Sequence, residues 1–589
     1  MTPTLTAPAT RWTLRRVDPS TVEAFMRTQR LSEVGARLLA ARGILDAKAA
    51  SAHLEPKLSA LHDPALFSDM KLATQRIVRA IEHGETILVH GDYDVDGVTG
   101  TTLLMRLFGL LGAKVHWHIP NRFTDGYSFG PHSIVKAKEV GATLVISVDN
   151  GTSAHETIHE LKRLGVDTIV TDHHEPSEGE LPEALAIVNP KIERARYPFR
   201  ELCGGAVAFK LAWGLAQELS GASKVREDLR EFLVDAMGYV AIATVCDVVP
   251  LIDENRVLAH YGLRSLANSK DAGIRALLAV TELSGRTISS EDLAFKVGPR
   301  INASGRLGSA HKAVELLLTR DATEARTRAL ALDELNTERK RIESDLLREA
   351  LVAAAPFADR NEHPVLVLAG QGWHQGVVGI IAARLVSRFE RPAIVIGLNG
   401  ATGRGSARSV AGFSVLDAMH GAKDHFEHYG GHEQAAGMSV AADKIDRVRE
   451  AVCARATTML GATGFASKEV RVDSEIAFES MTPELMRELD RFQPFGERNE
   501  KPVLLSCDLR LAEPPRLLGA DQTHLMLKLR SGNTVLKAMG FGQARRAKEL
   551  ALGQPIHVAY TPKWNTFRGE TNLEIEIVDL KTGARPTLA

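Results

Sequence analysis

The sequence predicts a multidomain α/β protein: a doubly wound parallel sheet, a long linking helix, a second α/β domain and a C-terminal OB-like β-barrel. Three observations predict it. Between residues 85 and 190, short β-rich runs alternate with amphipathic stretches long enough to be crossover helices. From Ser309 to Ala355 the chain runs 47 residues without Gly or Pro. Beyond about residue 465 it turns strand-rich, with turn signals between the strands. The 589 residues suffice for roughly three or four domains.

The elements follow in order. The opening MTPTLTAPATRWTLRRV is basic, has no acid and lacks the apolar core of a secretory signal. It is expected to be a disordered leader within an N-terminal segment, residues 1–60. The first domain, 61–308, has strands at TILVH (86–90), KVHWHI (114–119), TLVISVD (143–149), DTIVTD (167–172) and LAIVN (185–189). No GxGxxG follows the first strand, which disfavours a dinucleotide site. Residues 206–282 read as largely helical. In the linker, 309–355, Asp321 with Glu324 three residues on caps a helix that ends before Pro356. At ~1.5 Å per residue it would reach roughly 50 Å and bridge two lobes. A second α/β unit, 356–464, opens at PVLVLAG (364–370) and repeats the pattern at RPAIVIG (391–397). VRVDSEIAF, PVLLSCDLRLA, HLMLKLR, VLKAMGF, IHVAYTPKW and NLEIEIVDL give 465–589 the strand count of a small barrel, with a small sandwich as the alternative.

Composition narrows the function classes. Hydrophobic content of 44% and charged content of 25% are those of an ordinary globular chain. No apolar run approaches the ~20 residues that span a bilayer, so no membrane role is expected. Cys203, Cys246, Cys453 and Cys507 show no zinc-like spacing and read as reduced thiols of a cytoplasmic protein. Net charge is −1, but residues 501–589 carry 13 Lys or Arg against 8 Asp or Glu, a weak local polyanion signal.

The chemistry concentrates at strand ends. HGDYDVDG (90–97) puts His90, Asp92, Asp94 and Asp96 beyond the first strand, VISVDNG puts Asp149 beyond the third, and VTDHHE puts Asp172, His173 and His174 beyond the fourth. Ligands of open parallel sheets bind at that carboxyl edge. Asp247, in ATVCDVVPL, sits in an apolar run where an unpaired carboxylate is costly. Each has an ordinary reading: an Asp-rich turn, a helix cap, a core histidine, half of an ion pair. Together they fit a divalent-metal cluster, because like charges so crowded need cations among them.

HGDYDVDG, VDNG, DHH and the later Asp247 resemble the four motifs of the DHH phosphoesterase family, and GRGSARS (403–409) and GGHEQAAG (430–437) resemble its DHH-associated domain. From about residue 60 the whole arrangement resembles the single-strand-specific exonucleases of that family. The resemblance implies a two-metal site, manganese preferred and magnesium possible. Asp149 would bridge the ions, Asp94 and His90 would complete one, and Asp96, His173 and Asp247 the other. Asp92 would replace His90 or act beside the metals, Asp172 would orient a ligand, and His174 would face the phosphate. Asp92, Asp149 and His174 are thus the catalytic candidates.

Substrate recognition is expected elsewhere. GPRINASGRLG (298–308) reads as a Gly-containing phosphate-binding segment with Arg300, Asn302, Ser304 and Arg306. Arg404, Ser406 and Arg408, with His432 on a flexible loop, would line the second lobe, and Trp373 and His374 precede a helix N-terminus. The implied activity is 5′→3′ exonucleolytic hydrolysis of single-stranded DNA in repair and recombination, beside a single-strand-binding protein and a helicase. The alternatives are a phosphodiesterase for short oligonucleotides or cyclic dinucleotides, and an inactive replication scaffold.

Overall fold

The computed structural model describes residues 10–125, 129–177, 179–221, 224–461, 464–465, 468–519, 521–567 and 570–588. The chain begins with β1 (Arg11–Leu14) and helices α1 (Pro19–Thr28), α2 (Glu33–Ala41) and α3 (Ala47–Leu54), capped by Asp18, Ser32 and Asp46. This corrects the disordered leader: β1 pairs in parallel with residues 469–472, and residues 1–9 lie outside the described part. Val22, Phe25, Leu38, Leu39 and Leu54 are too few to bury one another, and they share a core with Leu504, Leu525, Tyr560 and Ile575. The N-terminal segment therefore belongs to the packing of the C-terminal barrel.

The first lobe follows α4 (Met70–Glu82). It alternates β2 (Ile87–Gly91), α5 (Val95–Leu110), β3 (Val115–His118), α6 (Pro131–Val140), β4 (Leu144–Val148), α7 (His155–Arg163), β5 (Asp167–Thr171) and β6 (Ala186–Val188). The sheet order is β3-β2-β4-β5-β6 and every pairing is parallel. Every residue of β2 and β4 is buried, so these strands read as unbroken apolar runs instead of alternating ones. Helices α8 (Gly204–Ser220), α9 (Glu227–Cys246), α10 (Asp253–Ala267) and α11 (Ala272–Val280) complete the lobe.

A one-turn α12 (Ser290–Asp292) runs through a π-helical turn, Leu293–Val297, into α13 (Gly298–Leu307). The segment GPRINASGRLG is thus helical: Pro299 suits a first helical turn, where no N–H is required. Next come α14 (His311–Leu318) and α15 (Ala322–Ala353), whose cap Asp321 accepts the Glu324 N–H at 2.7 Å. The uninterrupted helix is 32 residues, shorter than the Gly- and Pro-free run. Ala325, Ala329 and Leu332 pack in the first-lobe core, while Leu346 and Ala350 pack against the second lobe.

The second lobe holds β7 (Leu366–Gln371), α16 (Val378–Phe389), β8 (Ala393–Asn399), β9 (Thr402–Arg408), α17 (Val415–His420), β10 (Phe426–His432), β11 (Ala435–Ala441) and α18 (Ile445–Leu460). Its mixed sheet runs β10-β11-β9-β8-β7, with only β7–β8 parallel. The remainder comprises β12 (Glu469–Val472), β13 (Ser474–Glu475), α19 (Pro483–Asp490), β14 (Leu504–Leu511), β15 (Arg516–Leu518), β16 (His524–Ser531), β17 (Thr534–Gly540), β18 (Ile556–Phe567) and β19 (Glu570–Thr582). Because β14 pairs with both β18 and β16, the strands β14-β18-β19-β17-β16 close into a ring, the OB-like barrel. Among the described residues no helix is long and apolar enough to cross a membrane.

Candidate metal centre

Each acid is placed by the end of an element. Asp94 caps α5, accepting the N–H groups of Asp96 at 2.9 Å and Gly97 at 3.2 Å. Gly97 lets that turn press on β2, since a Cβ there would lie 2.5 Å from the Asp92 nitrogen. Asp149 leaves β4 in the left-handed region at φ +63°, and Val248, just after Asp247 at the end of α9, sits at φ +60°. A β-branched residue there is strained, and strain of this kind gathers at sites the surrounding fold over-determines. Asp96 accepts the N–H groups of Gly204 and Gly205 at the start of α8, both at 2.7 Å.

These side chains converge. His173 Nε2 lies 3.2 Å from Asp149 Oδ1, 3.6 Å from Asp247 Oδ2 and 3.8 Å from Asp96 Oδ2. Ligand atoms fall within 4.8 Å of one another in three overlapping groups: Asp92, Asp94 and Asp149; Asp96, His173 and Asp247; Asp149, His173 and His174. Burial, followed by the neighbouring carboxylates, raises Asp92 to about 8, Asp96 to about 6 and Asp247 to about 9. Asp149 moves the same way, through burial first and then repulsion from Asp96 and Asp94. Asp92 Oδ1 and Asp149 Oδ1 are buried without a hydrogen bond. Orphaned carboxylate oxygens and one imidazole nitrogen, facing inward, form a donor set that fits divalent cations.

Beside them stands a hydrogen-bonded pair. Asp172 lies 2.7 Å from His174 Nδ1 and accepts the His173, His174 and Thr152 N–H groups. Burial opposes charge on His174, but the Asp172 bond and then the charges of Asp172, Asp247 and Asp92 raise it to about 9. Its ring is half-exposed.

His90 departs from expectation. It is fully buried and groups with His118 and His132, not with a carboxylate, so Asp92 is the third acid beside Asp94 and Asp149. The side chain of a strand residue points to one face, and His90 faces β3 and α6.

Of the expected phosphate contacts, Arg306 and Arg408 come together and Arg300 does not. Arg300 Nε donates to Asp333 at 2.8 Å and Nη1 to the Lys296 carbonyl at 2.7 Å, which holds it on the linking helix. Ser304 is fully buried and donates to its own helix at Ile301, while Asn302 is half-buried on α13. Arg306 donates to the Gly376 carbonyl at 3.2 Å, across the lobe junction. Burial, then Arg122, Arg339 and Arg408, lower it to about 10, so four guanidinium groups share one neighbourhood with Asp94 close by. Arg408 donates to Ser406 Oγ at 2.8 Å. Arg404 is exposed and lines a cavity of about 790 Å³ with Phe123, His374 and His428. GGHEQAAG forms the β10–β11 hairpin, not a flexible loop, with His432 exposed and paired to Ala435. Trp373 is a core residue whose Nε1 donates to Glu349 at 2.9 Å.

Sequence reasoning missed Arg122 and the Gly204–Gly205 pair. Arg122 follows β3 at the same carboxyl edge and stacks on Tyr93 at 4.1 Å, so the edge rule applied to PNRF would have found it. A Cβ on Gly204 would lie 2.6 Å from Asp149, a contact with no local sequence signal.

Residues 86–243 match the DHH family, N-terminal domain; 362–458 match the DHHA1 domain; and 472–579 match the RecJ OB domain. The single-stranded-DNA-specific exonuclease RecJ of Bacillus subtilis is 35% identical over 574 residues, covering 97% of this chain and 70% of its own length. That of Escherichia coli is 34% identical over 552 residues, covering 92% and 94%. RecJ of Thermus thermophilus in complex with Mn2+ has a similar structure, with TM-score 0.82 at 30% identity over 98% of this chain and 80% of the other. Its complex with Mg2+ gives 0.76 at 29%, over 98% and 79%.

Proposed function

The chain belongs to the RecJ family of single-stranded-DNA-specific exonucleases, and from that premise we infer that it hydrolyses single-stranded DNA in a metal-dependent reaction. The observation that carries this reading is the convergence of Asp92 and Asp94 on Asp149, and of Asp96, Asp149 and Asp247 on His173, with buried Asp92 and Asp149 oxygens lacking partners. We propose two divalent ions, manganese preferred and magnesium able to substitute. Asp92, Asp94 and Asp149 would hold one, and Asp96, His173, Asp247 and a shared Asp149 the other. Such ions acidify water and neutralise charge on a scissile phosphate.

The protein's own groups do the rest. Asp96, fixed by two backbone N–H groups, keeps its carboxylate from rotating, and the Asp172–His174 pair presents a cation at the rim. His174 is placed to neutralise charge on a phosphate oxygen and to give a proton to the leaving oxygen. Arg122, Arg306 and Arg408 form a basic group suited to a terminal phosphate, which carries more charge than an internal diester. This supports entry from a 5′-phosphorylated end and 5′→3′ progress. The closed barrel supports a polymer substrate over short oligonucleotides or cyclic dinucleotides, and the filled set of acidic positions argues against an inactive scaffold. We assign the activity to DNA repair and recombination, with a helicase and a single-strand-binding protein as partners.

Digestion of strands labelled at either end, with manganese, tests the polarity. The 5′ label should appear first as mononucleotide, and early release of the 3′ label would refute the assignment.

A further inference from the structure

Three histidines stand apart from the carboxylate centre: His90 on β2, His118 on β3 and His132 in the first turn of α6. One ring nitrogen of each lies within 4.8 Å of the others. His118 Nε2 and His132 Nδ1 are 3.2 Å apart, and Ser133 Oγ sits 2.9 Å from His90 Nε2 and 3.5 Å from His132 Nδ1. A chain of hydrogen bonds through neutral rings and Ser133 accounts for these contacts. It leaves His90 Nδ1 without a partner inside the core. Asn150 is beside that ring, also buried, and its side chain is close enough to act on the His90 ring as a hydrogen-bonding neighbour.

Four-coordinate zinc, with Zn–N bonds of about 2.0–2.1 Å, sets its ligand nitrogens roughly 3.3 Å apart. The His118–His132 separation, 3.2 Å, already has that value, and the His90 nitrogen, within 4.8 Å of both, needs to approach by at most about 1.5 Å. The donors are three imidazoles with a hydroxyl alongside and no carboxylate, a set that favours zinc-class ions over manganese or magnesium. Ligating histidines usually donate their second ring N–H to an outer partner, and the Asn150 amide oxygen is in place to accept it from His90.

We propose that His90, His118 and His132 form a separate site for a zinc-class divalent ion, with Ser133 at its fourth side and Asn150 orienting His90. The site does not depend on the nuclease reading. His118 ends β3 and His132 begins α6, and the segment leaving β3 carries Arg122, which stacks on Tyr93 between two of the acids. An ion there ties both ends of that segment to the central strand β2 and holds Arg122 in register with Arg306.

The test counts metal where nuclease turnover plays no part. Asp149→Ala protein is stripped with chelator, dialysed against micromolar Zn2+ and assayed for bound zinc, alone and combined with His132→Gln or His118→Gln. Loss of one zinc equivalent in each combined variant is expected. Replacement by Co2+ should give the visible absorption of a tetrahedral nitrogen-rich site in Asp149→Ala and not in the combined variants. Glutamine keeps a polar group at each position, and circular dichroism identifies a folded variant. Equal zinc content with and without the histidine substitutions, in folded protein, would overturn the proposal. So would a Co2+ spectrum lacking tetrahedral bands.

Discussion

Replacing Gly204 with Ala gives a sharp test of how the centre is held. The new methyl would stand 2.6 Å from Asp149 Cβ and Oδ1 and 2.8 Å from its Cα. Carbon atoms rest at about 3.5–4.0 Å, so Asp149 or the start of α8 must move by about 1 Å. Neither is free to do so: Asp149 is common to two of the three ligand groups, and α8 is tied to Asp96 by two 2.7 Å hydrogen bonds. Helix propensity alone would predict a gain of up to about 1 kcal/mol for Ala over Gly. Overpacking costs about 1–3 kcal/mol, so the net effect is a loss of up to about 2 kcal/mol. The larger effect is on rate, since a misplacement of ~1 Å at a reacting centre costs on the order of 10²-fold. Single-turnover cleavage of a 5′-phosphorylated oligonucleotide in saturating manganese measures it, with the melting temperature recorded in parallel. Gly109→Ala, where only Arg320 comes within 4.0 Å, is the control and should keep its rate. A Gly204→Ala rate within about twofold of the unsubstituted protein would refute the reasoning.

Other consequences are as direct. Arg306→Ala or Arg408→Ala should weaken the preference for a 5′-phosphate by about 10–100-fold in KM, the scale of one charged hydrogen bond, whereas Arg300→Ala should leave it unchanged. Competition between phosphorylated and hydroxyl-ended strands reads this, and equal effects of all three substitutions would contradict it. In chelator, the acids raised to about 6, 8 and 9 hold protons that the unfolded chain has released. The stability they confer is complete below the unfolded carboxylate range and is lost as pH rises through about 9. The metal-free melting temperature should therefore fall between pH 6 and 8.5, and added magnesium should raise it more at pH 8.5. A metal-free melting temperature that climbs steadily with pH would contradict this. Removing residues 465–589 alone should expose Val22, Phe25 and Leu38 and aggregate the protein. The fragment 61–464 should instead stay soluble, cleave short strands and bind long ones weakly, with a deficit that shrinks at high salt. Equal affinity of fragment and full chain for long strands at low salt would count against the barrel's role.

The parallel sheet was legible because buried strands leave unbroken apolar runs, and the rule about strand ends then located Asp92, Asp94, Asp149, His173 and His174. The long helix was legible from its missing Gly and Pro, and its start from the Asp321 cap; the separate α14 within the same Gly- and Pro-free run was not, because α14 and α15 are both free of helix breakers. What stayed hidden depends on partners distant in sequence. The family resemblance implied His90 as a metal ligand, yet its strand turns it toward His118 and His132. Arg300 and Arg306 looked like a pair, but six positions along a helix put them on different faces, one on Asp333 and one at the lobe junction. The N-terminal helices carry apolar stripes whose counterpart lies some 450 residues away, as the Ser32–Glu488 hydrogen bond illustrates with a separation of 456.

The central claim is that the acids gathered around Asp149 hold the ions that cleave single-stranded DNA. The most direct measurement is hydrolysis of a 5′-phosphorylated single strand by folded Asp149→Ala protein in saturating manganese. The rate should fall by more than about 10³-fold, the scale of losing a principal charge-stabilising group, with no rescue by further metal. Turnover within about tenfold of the unsubstituted protein would contradict the assignment of the centre.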